Sequence, residues 1–354
     1  MRILVVGDPF CPSAAFRTAF GQLELENEVA YADVTDEPAW TPSTASERGL
    51  REYMGTPDQV SASLEHHEVL VVQGAPVSDA VIAADPALRL ICCARGGPVN
   101  VDLRAAAKRG IPVVTTPGKN ADAVAELAIC LMIMIARRLP ETIRYVDSGV
   151  PIFHDNYEGG SWLGHDLAGH TLGLVGFGQI GRRVAERAQA FKMRVLAYDP
   201  YVSAEAIANA GVEECNLPAL LRSSDVVSLH ARLQPDNHRL FDAHAFSSMR
   251  RGSYFVNTAR HELIDEQALM EALASGHLAA AALDVATPSP LAGRHRLLEY
   301  PNVVLVPHVG GATQETLEHG AEMAAAEIER FMKGVPLVNV ANATELATNA
   351  EAVR

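Results

Sequence analysis

The sequence has no apolar run long enough to cross a bilayer. The longest, residues 123–136, falls short of the roughly 18 residues that a transmembrane helix needs, and it contains Glu126. The first ten residues, MRILVVGDPF, include a short apolar core but no small-residue cleavage site, so they predict a first β-strand rather than a signal peptide. We therefore expect a protein that acts in the cytoplasm, away from membranes.

Paired cysteines and an excess of basic residues are also missing. The five cysteines are odd in number and scattered, without the spacing of a metal site, which indicates free thiols in a reducing compartment and no bound metal. The 29 Lys and Arg residues are outnumbered by 43 Asp and Glu, a net charge of −14, so neither nucleic acid nor an anionic membrane surface is an expected partner. An anionic ligand would have to be bound by local arginines and backbone amides.

What the chain has instead is length, apolar content and a regular alternation of strands and helices. Its 354 residues and 48% hydrophobic content suffice for two domains of about 150 residues each. In the first third, helical segments separate apolar segments that predict strands at residues 2–6, 28–31, 68–72, 88–94 and 111–115. This order predicts an α/β fold with parallel sheets and helices on both faces.

Residues 171–200 are the most informative stretch: a strand, a glycine-rich turn, a helix and a second strand. Gly176, Gly178 and Gly181 have the spacing G-x-G-x-x-G. The first permits a tight turn, the second lets the backbone approach a pyrophosphate at the helix N-terminus, and the third lets helix and strand pack closely. Asp199 ends the second strand 18 residues after Gly181, near the ~20 expected for a carboxylate that binds a ribose diol. The stretch predicts dinucleotide binding, and it favours NAD over NADP because Asp199 would repel a 2'-phosphate.

Two other segments have less definite interpretations. Residues 120–138 predict a long apolar helix that Pro140 ends, and residues 140–169 then predict an irregular connection. Such a long connection either wraps against a partner subunit, which we favour, or is a plain surface excursion. The polar residues from 344 onward predict a mobile tail.

Charged residues follow three apolar strands in the second half of the chain, at Arg260, Asp284 and His308. Because the carboxyl ends of parallel strands face the ligand crevice, we expect these side chains near a ligand. An arginine that holds a carboxylate and a histidine that exchanges a proton with a carbinol oxygen suit hydride transfer to or from nicotinamide. Each also has a simpler interpretation, His308 as a capped polar residue and Arg260 as a surface ion pair. The other histidines lack such a setting and are interpreted mostly as solvated or structural; they include His66, His67, His154 and His230.

Several motifs together resemble those of the D-isomer-specific 2-hydroxyacid dehydrogenases, from about residue 88 to about residue 338. They are ARGGPVNVD (94–102), TPGKNADAVAE (116–126), LGLVGFGQIG (172–181), VNTAR (256–260), IDEQAL (264–269), LDV (283–285) and PHVGGAT (307–313).

The resemblance implies two doubly wound α/β domains with a cleft between them. Residues 1–118 and 309–343 would form a flavodoxin-like substrate domain, residues 119–308 a Rossmann NAD-binding domain, and residues 344–354 the tail. It also implies NAD as the cofactor, a small anionic 2-hydroxy or 2-oxo acid as the substrate, and a homodimer built through the NAD-binding domains.

The same resemblance assigns roles to individual residues. Arg260 matches the arginine that binds the substrate carboxylate, His308 the acid/base, and Asp284 the carboxylate near the nicotinamide amide. The loop whose backbone amides hold the substrate carboxylate falls on Arg95, Gly96 and Gly97. The expected cofactor contacts are Gly176, Gly178, Gln179, Ile180, Gly181, Asp199, His230, Thr258, Ala259, Asp284 and Gly310.

Ser289 departs from the family pattern, which has a glutamate five residues after the LDV aspartate. That glutamate favours the protonated form of the catalytic histidine and so raises its pKa, whereas Ser289 could orient His308 by a hydrogen bond but supplies no charge. His261 is a second departure, since glycine often follows the arginine.

Two functions are therefore expected as alternatives. The first is an NAD-dependent dehydrogenase of a small D-2-hydroxy acid; because Arg95 adds a cation, the acid would be polyhydroxylated or phosphorylated, such as a sugar-acid phosphate or 3-phosphoglycerate. The second is an NAD-binding regulatory or scaffold protein whose catalysis is weakened because Ser289 replaces the glutamate.

Overall fold

The computed structural model describes residues 1–36, 40–149, 162–287 and 294–352. The chain divides into two compact units. Unit 1 comprises Met1–Lys119 and Thr313–Arg354, and unit 2 comprises Asn120–Ala312. Unit 1 is thus discontinuous, because the chain leaves it for unit 2 and then returns.

Unit 1 contains a five-stranded parallel sheet. Its strands are β1 (Arg2–Gly7), β2 (Glu28–Asp33), β3 (Val69–Val72), β4 (Leu90–Cys93) and β5 (Val113–Thr115). They lie in the order β2-β1-β3-β4-β5, which is the order of flavodoxin-like sheets. In β1, Leu4 and Val6 pack into one core cluster and Ile3 and Val5 into another. Both faces of this sheet are therefore covered, which is why its strands are nearly continuous apolar runs.

Unit 2 contains a seven-stranded parallel sheet. Its strands are β6 (Thr171–Val175), β7 (Arg194–Tyr198), β8 (Glu213–Glu214), β9 (Val226–Leu229), β10 (Ser253–Asn257), β11 (Leu278–Leu283) and β12 (Val303–Leu305). Their order, β12-β11-β10-β9-β6-β7-β8, is the Rossmann order with one further strand. The predicted α/β class with two doubly wound parallel sheets is confirmed.

Helices connect the strands in both units. In unit 1 they are α1 (Arg17–Glu26), α2 (Ala45–Gly49), α3 (Pro57–Ser63), α4 (Asp79–Ala84) and α5 (Leu103–Lys108). In unit 2 they are α6 (Ala121–Ala136), α7 (Leu139–Asp147), α8 (Gln179–Ala190), α9 (Ala204–Ala208), α10 (Leu217–Ser223), α11 (Ala243–Ser248) and α12 (Glu266–Ala274). The chain returns to unit 1 with α13 (Gln314–Met332) and α14 (Ala343–Ala352).

The prediction that Pro140 ends a helix and begins an irregular connection is wrong. Pro140 lies in the first turn of α7, where the missing N–H of proline would have no helical partner in any case. α6 and α7 are separated instead at Arg138, whose φ of 54° is left-handed. Residues 150–161 of the predicted connection lie outside the described residues.

The expected mobile tail also needs correction, because residues 343–352 form α14. Asn342, directly before this helix, is fully buried. Its side chain accepts a hydrogen bond from the backbone N–H of Val113 and donates one to the carbonyl of Ile111, both at 2.9 Å. The prediction of a tail used the polar composition from residue 344 onward and therefore did not include the buried Asn342.

Candidate active site

Six residues that the sequence singles out follow the carboxyl ends of six strands of unit 2, each within three positions. They are Gly176 (β6), Asp199 (β7), His230 (β9), Arg260 (β10), Asp284 (β11) and His308 (β12). Because the strands are parallel, all six lie along the same edge of the sheet. β6 and β9 are neighbours where the strand order reverses, which is where open α/β sheets bind their ligands.

The glycine-rich turn between β6 and α8 is tight on one side and open on the other. Gly176 has a φ of 99°, and a Cβ added there would lie 2.6 Å from backbone atoms of His230 and Ala231. A Cβ on Gly181 would lie 2.3 Å from the carbonyl oxygen of Gly176. A Cβ on Gly178, by contrast, would have no atom within 4 Å. Gly176 and Gly181 are therefore required by the fold, whereas Gly178 leaves space in front of the helix.

The N-terminus of α8 fits a pyrophosphate. Gly178 is its N-cap and provides no side-chain cap, and Gln179 and Ile180 begin its first turn. The first N–H groups of a helix lack intrahelical acceptors, so this end can donate to phosphate oxygens.

Asp199 is oriented by its own backbone surroundings. One carboxylate oxygen accepts a hydrogen bond from the N–H of Phe177 at 2.8 Å, and the other accepts from Tyr201 at 2.9 Å. Each oxygen keeps a further lone pair, so the carboxylate can also accept hydrogen bonds from a ribose diol. This arrangement ties the end of β7 to the glycine-rich turn.

His230 is a neutral residue of this edge. Burial lowers its pKa from 6.5 to about 4. Its Nε2 lies 2.8 Å from the hydroxyl of Ser228, and its Nδ1 lies 3.5 Å from that of Thr258, which is buried. The sequence allows two roles for His230, a solvated or structural histidine and, by the family resemblance, a cofactor contact. Its backbone lies beside Gly176, and the cofactor contact stays a prediction.

Arg260 is held by a buried asparagine to which sequence analysis gave no role. Asn257, the last residue of β10, is fully buried. Its side chain donates to the carbonyl of Arg260 at 3.0 Å and accepts from the N–H of Ala259 at 2.9 Å. Its own carbonyl accepts from the N–H of Asp284 at 2.9 Å. Asn257 thus fixes the Arg260 backbone to the neighbouring strand, while the Arg260 side chain stays exposed.

Asp284 links the end of β11 to the segment that begins at His308 after β12. Its carbonyl accepts a hydrogen bond from the N–H of His308 at 2.9 Å, and its carboxylate accepts from Val309 at 2.7 Å and from Gly310 at 2.8 Å. Burial raises the pKa of Asp284, while these hydrogen bonds and the charges of His308 and Arg260 oppose the rise. The carboxylate is thus held by the backbone that follows His308, and His308 itself is exposed with a φ of 56°.

Comparison with known proteins identifies the family of the domain that carries this edge. Residues 129–310 match the family model described as D-isomer specific 2-hydroxyacid dehydrogenase, NAD binding domain. The chain belongs to the D-isomer-specific 2-hydroxyacid dehydrogenase family. The matched domain includes the glycine-rich turn, so NAD is its cofactor.

Individual relatives of this family carry different names. The chain is 37% identical over 286 residues to a D-3-phosphoglycerate dehydrogenase of Archaeoglobus fulgidus, covering 80% of this chain and 53% of that protein. It is 38% identical over 267 residues to a glyoxylate reductase of Korarchaeum cryptofilum, covering 75% of this chain and 80% of that protein. The crystal structure of the TT0316 protein of Thermus thermophilus superposes with a TM-score of 0.76 at 34% identity, covering 96% of this chain and all of that one. The chain thus spans about half the length of the phosphoglycerate dehydrogenases it matches.

Ser289, at the position of the family glutamate, lies outside the described residues. The residues that flank its segment are joined to each other, since Nε2 of His295 lies 2.6 Å from the carbonyl oxygen of Thr287. Glu266 accepts a hydrogen bond from the N–H of Thr287 at 2.6 Å and lies 3.5 Å from His295. The two ends of the segment are therefore fixed to α12.

The predicted substrate loop of Arg95, Gly96 and Gly97 belongs to unit 1 and follows β4. Gly96 and Gly97 are accessible, and a Cβ on Gly97 would have no atom within 4 Å. Arg95 is not an isolated cation, because its guanidinium pairs with the carboxylate of Glu52.

Among the described residues, no helix combines the length and apolar character that a membrane span requires. The same residues contain no group of three or more His, Cys, Asp or Glu side chains arranged to bind a metal ion.

Proposed function

We propose that this protein is an NAD-dependent oxidoreductase that interconverts a small D-2-hydroxy acid and its 2-oxo acid. The observation that carries the proposal is the grouping of Arg260, Asp284 and His308 on the strand-end edge that also bears the glycine-rich turn of the NAD-binding domain. An arginine, a carboxylate and a histidine beside a dinucleotide site supply both carboxylate binding and proton exchange.

The residues divide the reaction between them. Bound NADH supplies a hydride in the reduction, and NAD accepts one in the oxidation. The exposed guanidinium of Arg260 can hold the substrate carboxylate through two parallel hydrogen bonds. His308 donates a proton to the carbonyl oxygen in the reduction and removes it from the hydroxyl in the oxidation. Asp284 holds the backbone that carries His308, because its carbonyl and carboxylate accept hydrogen bonds from the N–H groups of residues 308–310.

The substrate within this class has two candidates. One is a phosphorylated acid such as 3-phosphoglycerate, in keeping with the name of the Archaeoglobus relative. The other is a small or polyhydroxylated acid without a phosphate, in keeping with the glyoxylate reductase relative. We assign substrate binding to residues 1–118 and 309–343 and NAD binding to residues 119–308, with Arg95, Gly96 and Gly97 contributing to the former.

We also propose a homodimer, in the cytoplasm. Leu139, Ile143 and Val146 are exposed and fall at positions i, i+4 and i+7 of α7, so they form one apolar stripe. Leu163, in the same unit, is 75% exposed. Contiguous exposed apolar residues of this kind are typical of subunit interfaces. The five cysteines are free thiols, which suits a reducing compartment.

Steady-state assays of NADH oxidation across a panel of 2-oxo acids test the reaction. We expect turnover with at least one member, and Arg260→Ala should lower kcat/KM by about a hundredfold or more while NADH binding is kept. Arg194→Ala is the matched control, because Arg194 is an exposed, ion-paired arginine on β7. Protein that binds NADH but turns over no member of the panel would contradict the proposal and favour a regulatory or scaffold role.

A further inference from the structure

The carboxyl edge of the unit 1 sheet brings together four polar residues, of which Arg95 also belongs to the predicted substrate loop. Asp8 follows β1, Gln73 follows β3, Arg95 follows β4 and Lys119 follows β5, each within four positions. These four strands are neighbours in the order β1-β3-β4-β5, so their ends lie side by side. This is the edge on which the predicted substrate loop lies.

The arginine of this edge is already engaged by Glu52. One guanidinium nitrogen of Arg95 donates to the carbonyl oxygen of Glu52 at 2.7 Å, and the other contacts the Glu52 carboxylate. The Arg95 side chain is only 18% exposed. A guanidinium held through two nitrogens has a fixed direction, and its charge is compensated by the carboxylate.

Glu52 is held in place by the residues around it. The N–H of Arg51 donates to the carbonyl of Val99 at 2.9 Å, and the N–H of Met54 donates to the carbonyl of Gly74 at 3.0 Å. Residues 51–54 are thereby fastened to the segments that follow β3 and β4. Glu52 has a φ of 51°, a left-handed backbone that a non-glycine residue adopts only where its surroundings impose it.

Charged residues of both signs lie along this edge. Arg95 and Lys119 are the basic residues, and Asp8, Glu52 and Asp33, the last residue of β2, are the acidic ones. Asp8 is 2% exposed and accepts backbone hydrogen bonds from Phe10, Cys11 and Gly74. Burial lowers the pKa of Lys119, and the nearby Asp8 opposes this shift.

Gln73 is an uncharged polar residue of this edge. It is 7% exposed, and its buried Oε1 has no hydrogen-bond partner among the described residues. An amide with a free acceptor suits a hydroxyl donor, whereas a phosphate dianion supplies acceptors alone.

We propose that Glu52 determines substrate specificity by occupying Arg95, so that the enzyme selects 2-oxo acids whose group beyond the carbonyl is uncharged and rejects those with a second anion. This inference rests on the proposed function and decides between its two substrate candidates in favour of the unphosphorylated one. A phosphate or second carboxylate at this edge would be repelled by the Glu52 carboxylate, which already pairs with Arg95. Juxtaposed like charges are costly.

The test compares hydroxypyruvate with 3-phosphohydroxypyruvate, which differ in the phosphate, as substrates of the wild type and of Glu52→Gln. We expect the wild type to favour hydroxypyruvate. Glu52→Gln should raise the ratio of kcat/KM for the phosphorylated over the unphosphorylated substrate by roughly tenfold or more, mainly through KM, because the carboxylate that compensates Arg95 is lost and the net charge of the edge rises by one.

Glu68→Gln is the matched control, since Glu68 also pairs with an arginine, Arg89, but lies directly before β3 at the opposite edge of the same sheet. It removes the same charge and should leave the ratio unchanged. A wild type that favours the phosphorylated substrate, or equal shifts in Glu52→Gln and Glu68→Gln, would overturn the proposal.

A binding measurement separates this inference from the proposed function. With NADH bound, D-glycerate and 3-phosphoglycerate form dead-end complexes, so calorimetry reports the selectivity for charge even if no 2-oxo acid is turned over. Tighter binding of 3-phosphoglycerate to Glu52→Gln than to the wild type, without the same gain for D-glycerate, supports the inference. Unchanged relative affinities contradict it, whatever the turnover assays give.

Discussion

At the scale of single residues, the three glycines of the turn after β6 have different structural roles. Gly181 and Gly176 are surrounded by backbone, at 2.3 Å and 2.6 Å from an added Cβ, whereas Gly178 faces open space. The spacing G-x-G-x-x-G predicted all three from the sequence. Only the structure distinguishes Gly176 and Gly181, which the fold requires, from Gly178, which leaves space for a ligand.

Alanine in place of Gly178 should therefore weaken ligand binding, whereas alanine in place of Gly181 should lower stability. Gly178→Ala should keep the thermal unfolding midpoint of the wild type but weaken NADH binding about tenfold, because its methyl group enters the space for the pyrophosphate. Gly181→Ala should lower the free energy of unfolding by roughly 1–3 kcal/mol, because its methyl group meets the Gly176 carbonyl. Fluorescence titration with NADH and thermal unfolding check the pair; a Gly178→Ala variant with unchanged NADH affinity would contradict the assigned pyrophosphate site.

His230 should make stability depend on pH. Burial lowers its pKa in the folded protein to about 4 from 6.5. Between these values the unfolded chain binds more protons, so this contribution to stability is complete above pH 6.5 and is lost as the pH falls toward 4. The unfolding midpoints of wild type and His230→Asn, measured from pH 7 to pH 4, should differ by an amount that changes through this window. The lowered pKa of His67 is common to both proteins and cancels, so parallel profiles would show that His230 is not the group responsible.

At the scale of elements, α7 shows where sequence patterns were insufficient. Proline is favoured in the first turn of a helix as well as after its end, so Pro140 alone does not tell a stop from a start. The left-handed Arg138 decides between them, and it is visible only in the backbone. Sequence patterns were insufficient for α14 as well, because the buried Asn342 directly before it is hydrogen-bonded to residues more than 200 positions earlier in the chain.

The apolar stripe of α7 leads to a prediction about assembly. Ile143→Glu places a charge at the centre of the stripe, so the protein should become monomeric with its NADH affinity unchanged. Light scattering after size-exclusion chromatography gives the mass. Leu25→Glu, on the exposed face of α1 in unit 1, is the matched control and should leave the mass unchanged. A dimer that survives Ile143→Glu would remove α7 from the interface.

At the scale of the whole molecule, each unit has its own parallel sheet with apolar clusters on both faces. Unit 2 is continuous in sequence, whereas unit 1 needs α13, whose Ala321, Ala324 and Ile328 pack in the same cluster as Ile3 and Val5. Because the two cores are separate, we expect fragments of unit 1 and of unit 2 to differ in whether they fold alone.

A fragment of residues 120–312 should fold and bind NADH without turning over a 2-oxo acid. It keeps the glycine-rich turn, Arg260 and His308 but lacks the predicted substrate loop of Arg95, Gly96 and Gly97. Residues 1–119 alone should be unstable, because the face of the sheet that α13 covers would be exposed. Circular dichroism and NADH titration check both fragments; a 120–312 fragment that folds but fails to bind NADH would contradict the assignment of NAD binding to unit 2.

The sequence by itself determined the periodic features: parallel strands read from continuous apolar runs, the glycine-rich turn read from its spacing, and the charged residues at strand ends. These follow from local rules, since strand burial and turn geometry depend on near neighbours in the chain. The motifs between residues 88 and 338 also indicate the family, because each depends on residues that are close in the chain.

Only the tertiary structure decided which distant groups meet. The backbone hydrogen bond from Asp284 to Asn257, the hydrogen bonds from Val309 and Gly310 to the Asp284 carboxylate, and the pairing of Arg95 with Glu52 join residues that no local pattern relates. Arg95 appeared in the sequence as an added cation, but its effective charge depends on a carboxylate 43 positions earlier. Electrostatic interactions act through space, so the specificity of a site is fixed by the fold that brings the charges together.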